Sequence, residues 1–460
     1  MKLIFTRFVL IACLLFLLIP PLASAATKAS VKKATPPART DYQAAIRDYD
    51  QAIKLNPEDH LAYYNRGLAY YDLGKYPEAI ADFNQAIQLN PKNPPAHIAR
   101  GNAYGNLGKY PEVIFDMNRA LQLNPNEDKA YYNRGRAYIY LGRYNEAIMD
   151  YNKAVELNPQ NDQAYTSRGL IYNNLEKYND AIVDFNKAIE LNPQNDLAYY
   201  SRGLAYGFLE KYSDAVADFS KAVEFNAKNH LAYYSRGFFY SMLGKYNEAI
   251  ADFNNAIDLN PKNYLAYYNR GRAYGFLGKD AEAISDFNEA IALNSNDSSA
   301  YYSRGFSYHY LGRYYDAIDD FNKAIELNPK NDSAYYGRGR SYGLLGRYQE
   351  AILDFNKTIE LNPKDAGAYG NRGAAYIFLG KYPEAIVDLN KAIELNPQDA
   401  SAYYNRACSY SRLRNIKNAV EDLDKAISMK PALRNDAMTE KDFDPIRDSA
   451  DFKKLIKQGG

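Results

Sequence analysis

The chain has no tryptophan, two cysteines and four histidines in 460 residues, and neither sign of charge prevails. Each scarcity excludes something. With only Cys13 and Cys408, neither a disulfide framework nor a cysteine-built zinc site can be assembled. His60, His97, His230 and His309 lie far apart, and no two share a helix at metal-ligand spacing. Lys plus Arg number 56 against 55 Asp plus Glu, and neither sign forms a long block. That balance provides no basic stripe for nucleic acid and no attraction to anionic lipid. No Gly-rich phosphate loop occurs, because each glycine recurs for packing or helix termination. Cys408 reads as a single surface-facing thiol without a histidine partner. Acid pairs such as Asp319-Asp320 read as exposed-face residues. Neither an enzyme nor a cofactor or metal site is expected.

Long apolar runs are equally scarce, with one exception. Lys2 and Arg7 precede twelve apolar residues, Phe8 to Ile19, which Pro20-Pro21 ends before Ala23-Ser24-Ala25. This order predicts a secretory signal over 1–25, cut near Ala25/Ala26, and hence a periplasmic or secreted protein. Twelve residues fall short of the roughly 20 that a helical span needs, so an uncleaved anchor is the lesser alternative. Leu10-Ile11-Ala12-Cys13 resembles a lipobox, but Leu14 to Ile19 would follow the lipidated cysteine. Loss of Lys2 and Arg7 takes the formal charge from +1 to −1. Residues 26–41, with Pro36-Pro37 and no apolar period, read as a disordered lead-in.

What the chain has in abundance is repetition. From 42 to 430 it repeats every 34 residues without insertion or deletion, and Asn56-Pro57 recurs from Asn90-Pro91 to Asn396-Pro397. A fixed period of this length means stacked supersecondary pieces rather than one globular core. In the repeat 60–93, Tyr63, Gly67, Tyr70 and Leu73 share one helical face, and Ala79, Phe83 and Ala86-Ile87 share another. Gly74 ends the first helix, where it tolerates positive φ, and Asn90-Pro91 ends the second. Each repeat is therefore an αα-hairpin.

These residues resemble the tetratricopeptide (TPR) family. Its pattern W-x2-L-G-x2-Y…A-x3-F…P appears as Tyr63-x2-Arg66-Gly67-x2-Tyr70…Ala79-x3-Phe83…Pro91. It covers eleven repeats, 60–433, after a half repeat at 42–59 that has only its second helix. The resemblance implies an all-α, right-handed superhelical solenoid of αα-hairpins. Phe443, Ile446, Phe452 and Leu455-Ile456 then offer an amphipathic capping helix within 434–460, as a stacked array requires. Tyrosine systematically replaces the family's tryptophan, and arginine its leucine.

That arginine occurs in all eleven repeats, from Arg66 to Arg406, and an aspartate follows it by sixteen residues in each, from Asp82 to Asp422. A cation ladder for an acidic ligand is one reading; a structural ion pair in every repeat is the favoured one. Arg236 is expected to pair with Asp252 of its own repeat, with Asp218 of the preceding one as competitor. Of 46 tyrosines, most fall in three packing series, so their abundance carries no functional message.

The remaining first-helix face, exemplified by Leu61, Tyr64, Asn65, Leu68, Tyr71 and Asp72, resembles the lining of the family's concave peptide groove. Tyr200, Tyr234, Tyr268, Tyr302 and Tyr336 share one slot in consecutive repeats and are expected to bind rather than pack. Packing against the neighbouring repeat is the alternative. Beside them run Asn65, Asn133 and Asn269, with serines such as Ser235 and Ser303. Phe276, Tyr310 and Leu344 continue another row, interrupted by Arg272 and Arg340. Amides suit a peptide backbone and rings suit its side chains. The O-GlcNAc transferase array uses an asparagine ladder in this way, and the row here is patchier. The co-chaperone carboxylate clamp is absent: its lysine slot holds Tyr or Thr, Ile and Gly. The expected function is a non-enzymatic scaffold that holds extended segments of protein. A structural or self-associating array and an accessory subunit of an enzyme complex are the alternatives.

Overall fold

The computed structural model describes residues 39–457; the signal and nearly all of the lead-in lie outside the described residues. The described part is all helical and falls into two compact bodies, one ending at Gly244 and the other beginning at Lys245. The half-repeat helix, Arg39–Leu55, starts slightly earlier than the periodicity suggested. From His60 onward each repeat has a first helix of 13 residues and a second of 14, as in His60–Asp72 and Tyr76–Leu89. The repeat 230–263 contributes its first helix to the N-terminal body and its second to the C-terminal body.

The hairpin closes through small residues set against rings. A Cβ on Gly67 would stand 2.7 Å from Phe83 Cε1, so glycine lets the two helices approach. Ala79, Phe83 and Ala86 are fully buried there, and the same three positions are buried in repeat after repeat. The turn is a Schellman motif: the N–H of Gly74 donates to Tyr71 O and that of Lys75 to Tyr70 O, each at 2.9 Å. Gly74 has φ +75°, and in the same slot Glu176, Glu210 and Arg414 hold φ 57–60° without a glycine. At the other end Asn90 Oδ1 accepts from Lys92 N, while Asp59 or an equivalent asparagine caps the next first helix.

The regular arginine is a structural group with three attachments. Arg134 Nε and Nη2 make a bidentate contact with Asp150 at 2.8 and 2.6 Å, and Nη1 donates to Asn118 Oδ1 of the preceding repeat. Its guanidinium carbon also lies 5.4 Å from the centre of the Tyr131 ring. Bidentate pairing within the repeat recurs from Arg66–Asp82 to Arg406–Asp422. The previous repeat thus supplies the asparagine two positions after its aspartate, a contact the sequence reading missed. At Arg236 the equivalent acceptor is Ser220 Oγ, 3.2 Å from Nη1.

Burial pushes the carboxyls of Asp150, Asp184 and Asp320 above their usual range, despite the arginine hydrogen bonds that draw them down. Arg134 stays above its ordinary value because the Asp150 hydrogen bond outweighs its own desolvation. Both shifts are upward, which disfavours the charged carboxylate and favours the charged guanidinium, in keeping with exposure: the guanidinium keeps an edge in water and the carboxylate is nearly sealed. Such a pair fixes register more than it adds net stability.

After Met429 the capping segment is not one helix. It runs as Leu433–Thr439, a 3-10 turn Lys441–Ile446, and Ala450–Lys457, with Pro445 inside the turn. Phe443, Ile446, Phe452 and Leu455 are buried against Ala407, Leu423 and Ile427 of the last repeat. They also cover Cys408, which is buried rather than surface-facing, and burial raises its thiol pKa well above the ordinary value.

Candidate functional site

The first-helix face is built by register. In each body, residues 34 apart occupy one slot, so any departure from the repeat shows what that slot holds. The slot of Tyr64 is mainly a packing slot. Tyr200, Tyr234 and Tyr268 are buried, at 0%, 2% and 5% exposure. Tyr200 lies 5.5 Å from Phe219 and Tyr268 lies 5.9 Å from Phe287, in each case a ring of its own hairpin. The expectation that this row binds rather than packs is corrected for these three, which are buried: the rings of Tyr200 and Tyr268 fill space between first and second helices. Tyr302 and Tyr336 are half-buried against Phe321 and Phe355.

Two of the tyrosine hydroxyls meet polar side chains of the following repeat. Tyr336 OH accepts from Asn371 Nδ2 at 3.1 Å, and Tyr200 OH is 3.4 Å from Ser235 Oγ. Asn269 is buried and donates from Nδ2 to Leu265 O, one helical turn back, at 2.9 Å. Asn371 does the same with Gly367 O. Asn269 is therefore not presented as an open ladder rung, because its amide satisfies its own helix. Asn65 and Asn133 are half-buried.

What the face exposes is its last row. Phe276 and Tyr310 are 61% and 65% exposed, and the row continues through Leu344 to Phe378 at 68%. Phe378 was missed in the sequence, although its register with Phe276 could have found it. These rings rest on the first tyrosine of the preceding second helix: Phe276 on Tyr246 at 4.9 Å and Phe378 on Tyr348 at 4.7 Å, nearly parallel. Arg272 lies over Tyr268 and Phe276, each at 5.8 Å, and Arg340 over Tyr336 at 5.8 Å. The structure thus brings Arg272, Phe276, Tyr310 and Arg340 to one face of the C-terminal body.

Between them sits His309, buried among Phe306, Tyr310 and Tyr314. Ser341 Oγ donates to Gly337 O, so it accepts from His309 Nδ1 at 2.9 Å, which places the proton of the neutral ring on Nδ1. Burial, assisted by the Arg340 charge, lowers the His309 pKa to about 4. Among the described residues no cluster of His, Cys, Asp and Glu could hold a metal, and no helix is long and apolar enough to cross a membrane.

Comparison with known proteins agrees with this architecture. Profiles described as tetratricopeptide repeat match 94–127, seven stretches between 128 and 399, 185–217 and 400–433, and one described as TPR repeat matches 38–74 and 67–108. No curated protein matches the chain. Among solved structures it is similar to YrrB, "a TPR protein with an unusual peptide-binding site", at 26% identity over 40% of this chain and 95% of that one, TM-score 0.37. It is also similar to the Cut9–Hcn1 hetero-tetramer of the APC/C, at 16% identity over 91% and 93%, TM-score 0.45. A third similar structure is yeast Tom70, at 16% over 87% and 99%, TM-score 0.37. With repeat profiles matched along nearly all of the described residues, and hairpins that place each profile position where packing requires it, the chain belongs to the tetratricopeptide repeat family.

Proposed function

We propose that the protein is a non-enzymatic scaffold that holds extended polypeptide segments along its first helices, outside the cytoplasm. The observation that carries this reading is the exposed row Phe276, Tyr310, Leu344 and Phe378, four consecutive repeats with a large apolar side chain in one outward slot. Isolated exposed apolar residues need no explanation, whereas an aligned row on one face marks an interaction surface. Family membership supports a protein partner in general. The placement outside the cytoplasm rests on the order of residues 1–25.

A displayed library of random dodecapeptides selected on the immobilised mature chain tests the reading. Enriched peptides should lose binding to a Phe276→Ser, Leu344→Ser, Phe378→Ser variant and keep it when Phe115 and Met149, exposed on second helices, become serine. Dependence on Phe115 and Met149 instead would move the function to the other face. Intact mass after secretion tests the location: a product that retains Met1 to Ala25 refutes cleavage.

A further inference from the structure

One helix of the N-terminal body stands without its hairpin partner. Arg39–Leu55 is a second helix packed on the first helix His60–Asp72, and among the described residues no first helix precedes it. Its seam residues Ala45, Tyr49 and Ala52 are in register with Ala79, Phe83 and Ala86. Those three are fully buried, whereas Ala45, Tyr49 and Ala52 are only half-buried. Tyrosine does not prevent closure in this slot: Tyr151 is fully buried there, its Cε1 3.1 Å from where a Cβ on Gly135 would stand.

Polar groups of the same seam are left over. Twelve aspartates recur at the period from Asp48 to Asp422 against eleven arginines, and Asp48 is the one in excess. Asp82 and Asp150 are buried under bidentate arginines, while Asp48 is exposed and no cation of the described residues is paired with it. Its neighbour Asp50 is already engaged, since it accepts from Arg66 Nη1 at 2.6 Å. Asn65 lacks a counterpart too. Asn371, in register with it, donates to Tyr336 OH on the first helix before, and among the described residues none stands in that place for Asn65.

The other repeats show what covers such a seam. The arginine that grips the aspartate is followed directly by glycine everywhere except at Ala407, and a tyrosine two residues before it, as at Tyr64 or Tyr336, reaches the next first helix. Residues 26–38 of this chain do not match that pattern in register. Lys33 falls in the slot of Gly67, where a Cβ would stand 2.7 Å from Phe83 Cε1. Pro36-Pro37 fall in the slots of Tyr70-Tyr71, mid-helix, where proline removes a donor and clashes with the preceding turn.

We propose that the open seam of helix 39–55 takes an amphipathic helix of another protein, one that carries an arginine followed directly by glycine. Its guanidinium makes the bidentate contact with Asp48, and its glycine lets the two helix axes approach over Tyr49. A tyrosine two residues before the arginine accepts from Asn65 Nδ2. The exposed carboxylate at a half-covered apolar seam selects a cationic helix by complementarity. This surface is separate from the row Phe276 to Phe378, and the inference goes beyond the reading based on that row.

The probe is a fluorescein-labelled peptide of residues 60–73, which has Tyr64, Arg66 and Gly67 at the required spacing. It is titrated with the full mature chain and read by anisotropy. Saturable binding is expected. Asp48→Asn in the chain should weaken it about tenfold or more, and the melting midpoint should not move because Asp48 is exposed. Arg66→Gln in the peptide should weaken binding equally, and both changes together no further than either alone. Gly67→Leu in the peptide should abolish binding. Undiminished binding to the Asp48→Asn chain overturns the proposal. Loss on the Phe276→Ser, Leu344→Ser, Phe378→Ser variant instead would place the peptide on the exposed row, which overturns the proposal and leaves the scaffold reading standing. Binding seen only after Lys32→Gln with Lys33→Gln would make residues 26–38 the occupant. A dimer in sedimentation that Asp48→Asn dissociates would make it a second copy. Either result overturns the proposal, as does absence of binding.

Discussion

Gly207 and Gly275 hold the same slot of the repeat and lead opposite lives. In the N-terminal body, a Cβ on Gly207 would collide with Phe239, which fills the hollow and lies 5.7 Å from Phe219. In the C-terminal body the residues in register with Phe239 are Ser307 and Ala375, beyond Gly275 and Gly343, and both hollows stay open. The neighbouring slot changes with it: Leu204 and Phe238 are buried in the first body where Arg272 and Arg340 stand half-buried in the second. One framework thus yields a sealed face and an open one by changing a few residues, without altering a helix boundary.

The comparison breaks most visibly at Phe239. Phe239→Ala empties the packed hollow of the N-terminal body and should cost about 3–5 kcal/mol, the range for a buried phenylalanine. Urea unfolding followed by hydrogen exchange locates the loss; protection that falls only in the C-terminal body would contradict it. Next comes the tyrosine slot. Tyr200→Ser should destabilise by about 3 kcal/mol, and Tyr336→Ser, half-buried, by roughly half as much. Equal midpoint shifts for the two would erase the distinction drawn here.

Acid provides a third test. His309 titrates near 6.5 when unfolded and at about 4 when folded, so its folded pKa is depressed. Its contribution is complete above pH 6.5 and is lost as pH falls from there toward 4, on the order of 3 kcal/mol at most. Stability measured at pH 7 and pH 4.5 should therefore differ less in His309→Asn than in the natural chain, and an unchanged difference would refute the assignment. The smallest effect is also the most diagnostic. Gly275→Ala should stabilise by about 0.5–1 kcal/mol, since helix propensity improves with nothing in the way. Gly207→Ala should destabilise, and a melting midpoint that moves alike in both would abolish the contrast between the bodies.

The sequence made the architecture legible because its signals are local and periodic. Gly74 turned the chain, Asn90-Pro91 stopped it, and sixteen-residue spacing paired Arg66 with Asp82. The site was harder to read. A slot opposite the hairpin seam looks outward on a helical wheel, yet Tyr200 leans onto Phe219 because a long ring spans the distance that a wheel ignores. Asn269 has the composition of a ligand rung, but nothing in the residue type shows that its amide turns to Leu265 O. The burial of Cys408 depended on Phe443 and its neighbours, thirty or more residues away and outside the period. Departures from the repeat, such as Phe239 among alanines and serines, were the usable signal.

The three-way arginine has a consequence for the length of the chain. Arg134 takes Asp150 from its own repeat and Asn118 from the one before, and Arg100 takes Asp116 and Asn84 in the same manner. Excision of residues 94–127 would therefore bring Asn84 to Arg134 in place of Asn118, with the same donor, acceptor and spacing. Duplication of a repeat would be equally seamless. An array wired this way can gain or lose whole hairpins in its history without ever passing through a state in which a buried aspartate has lost its arginine.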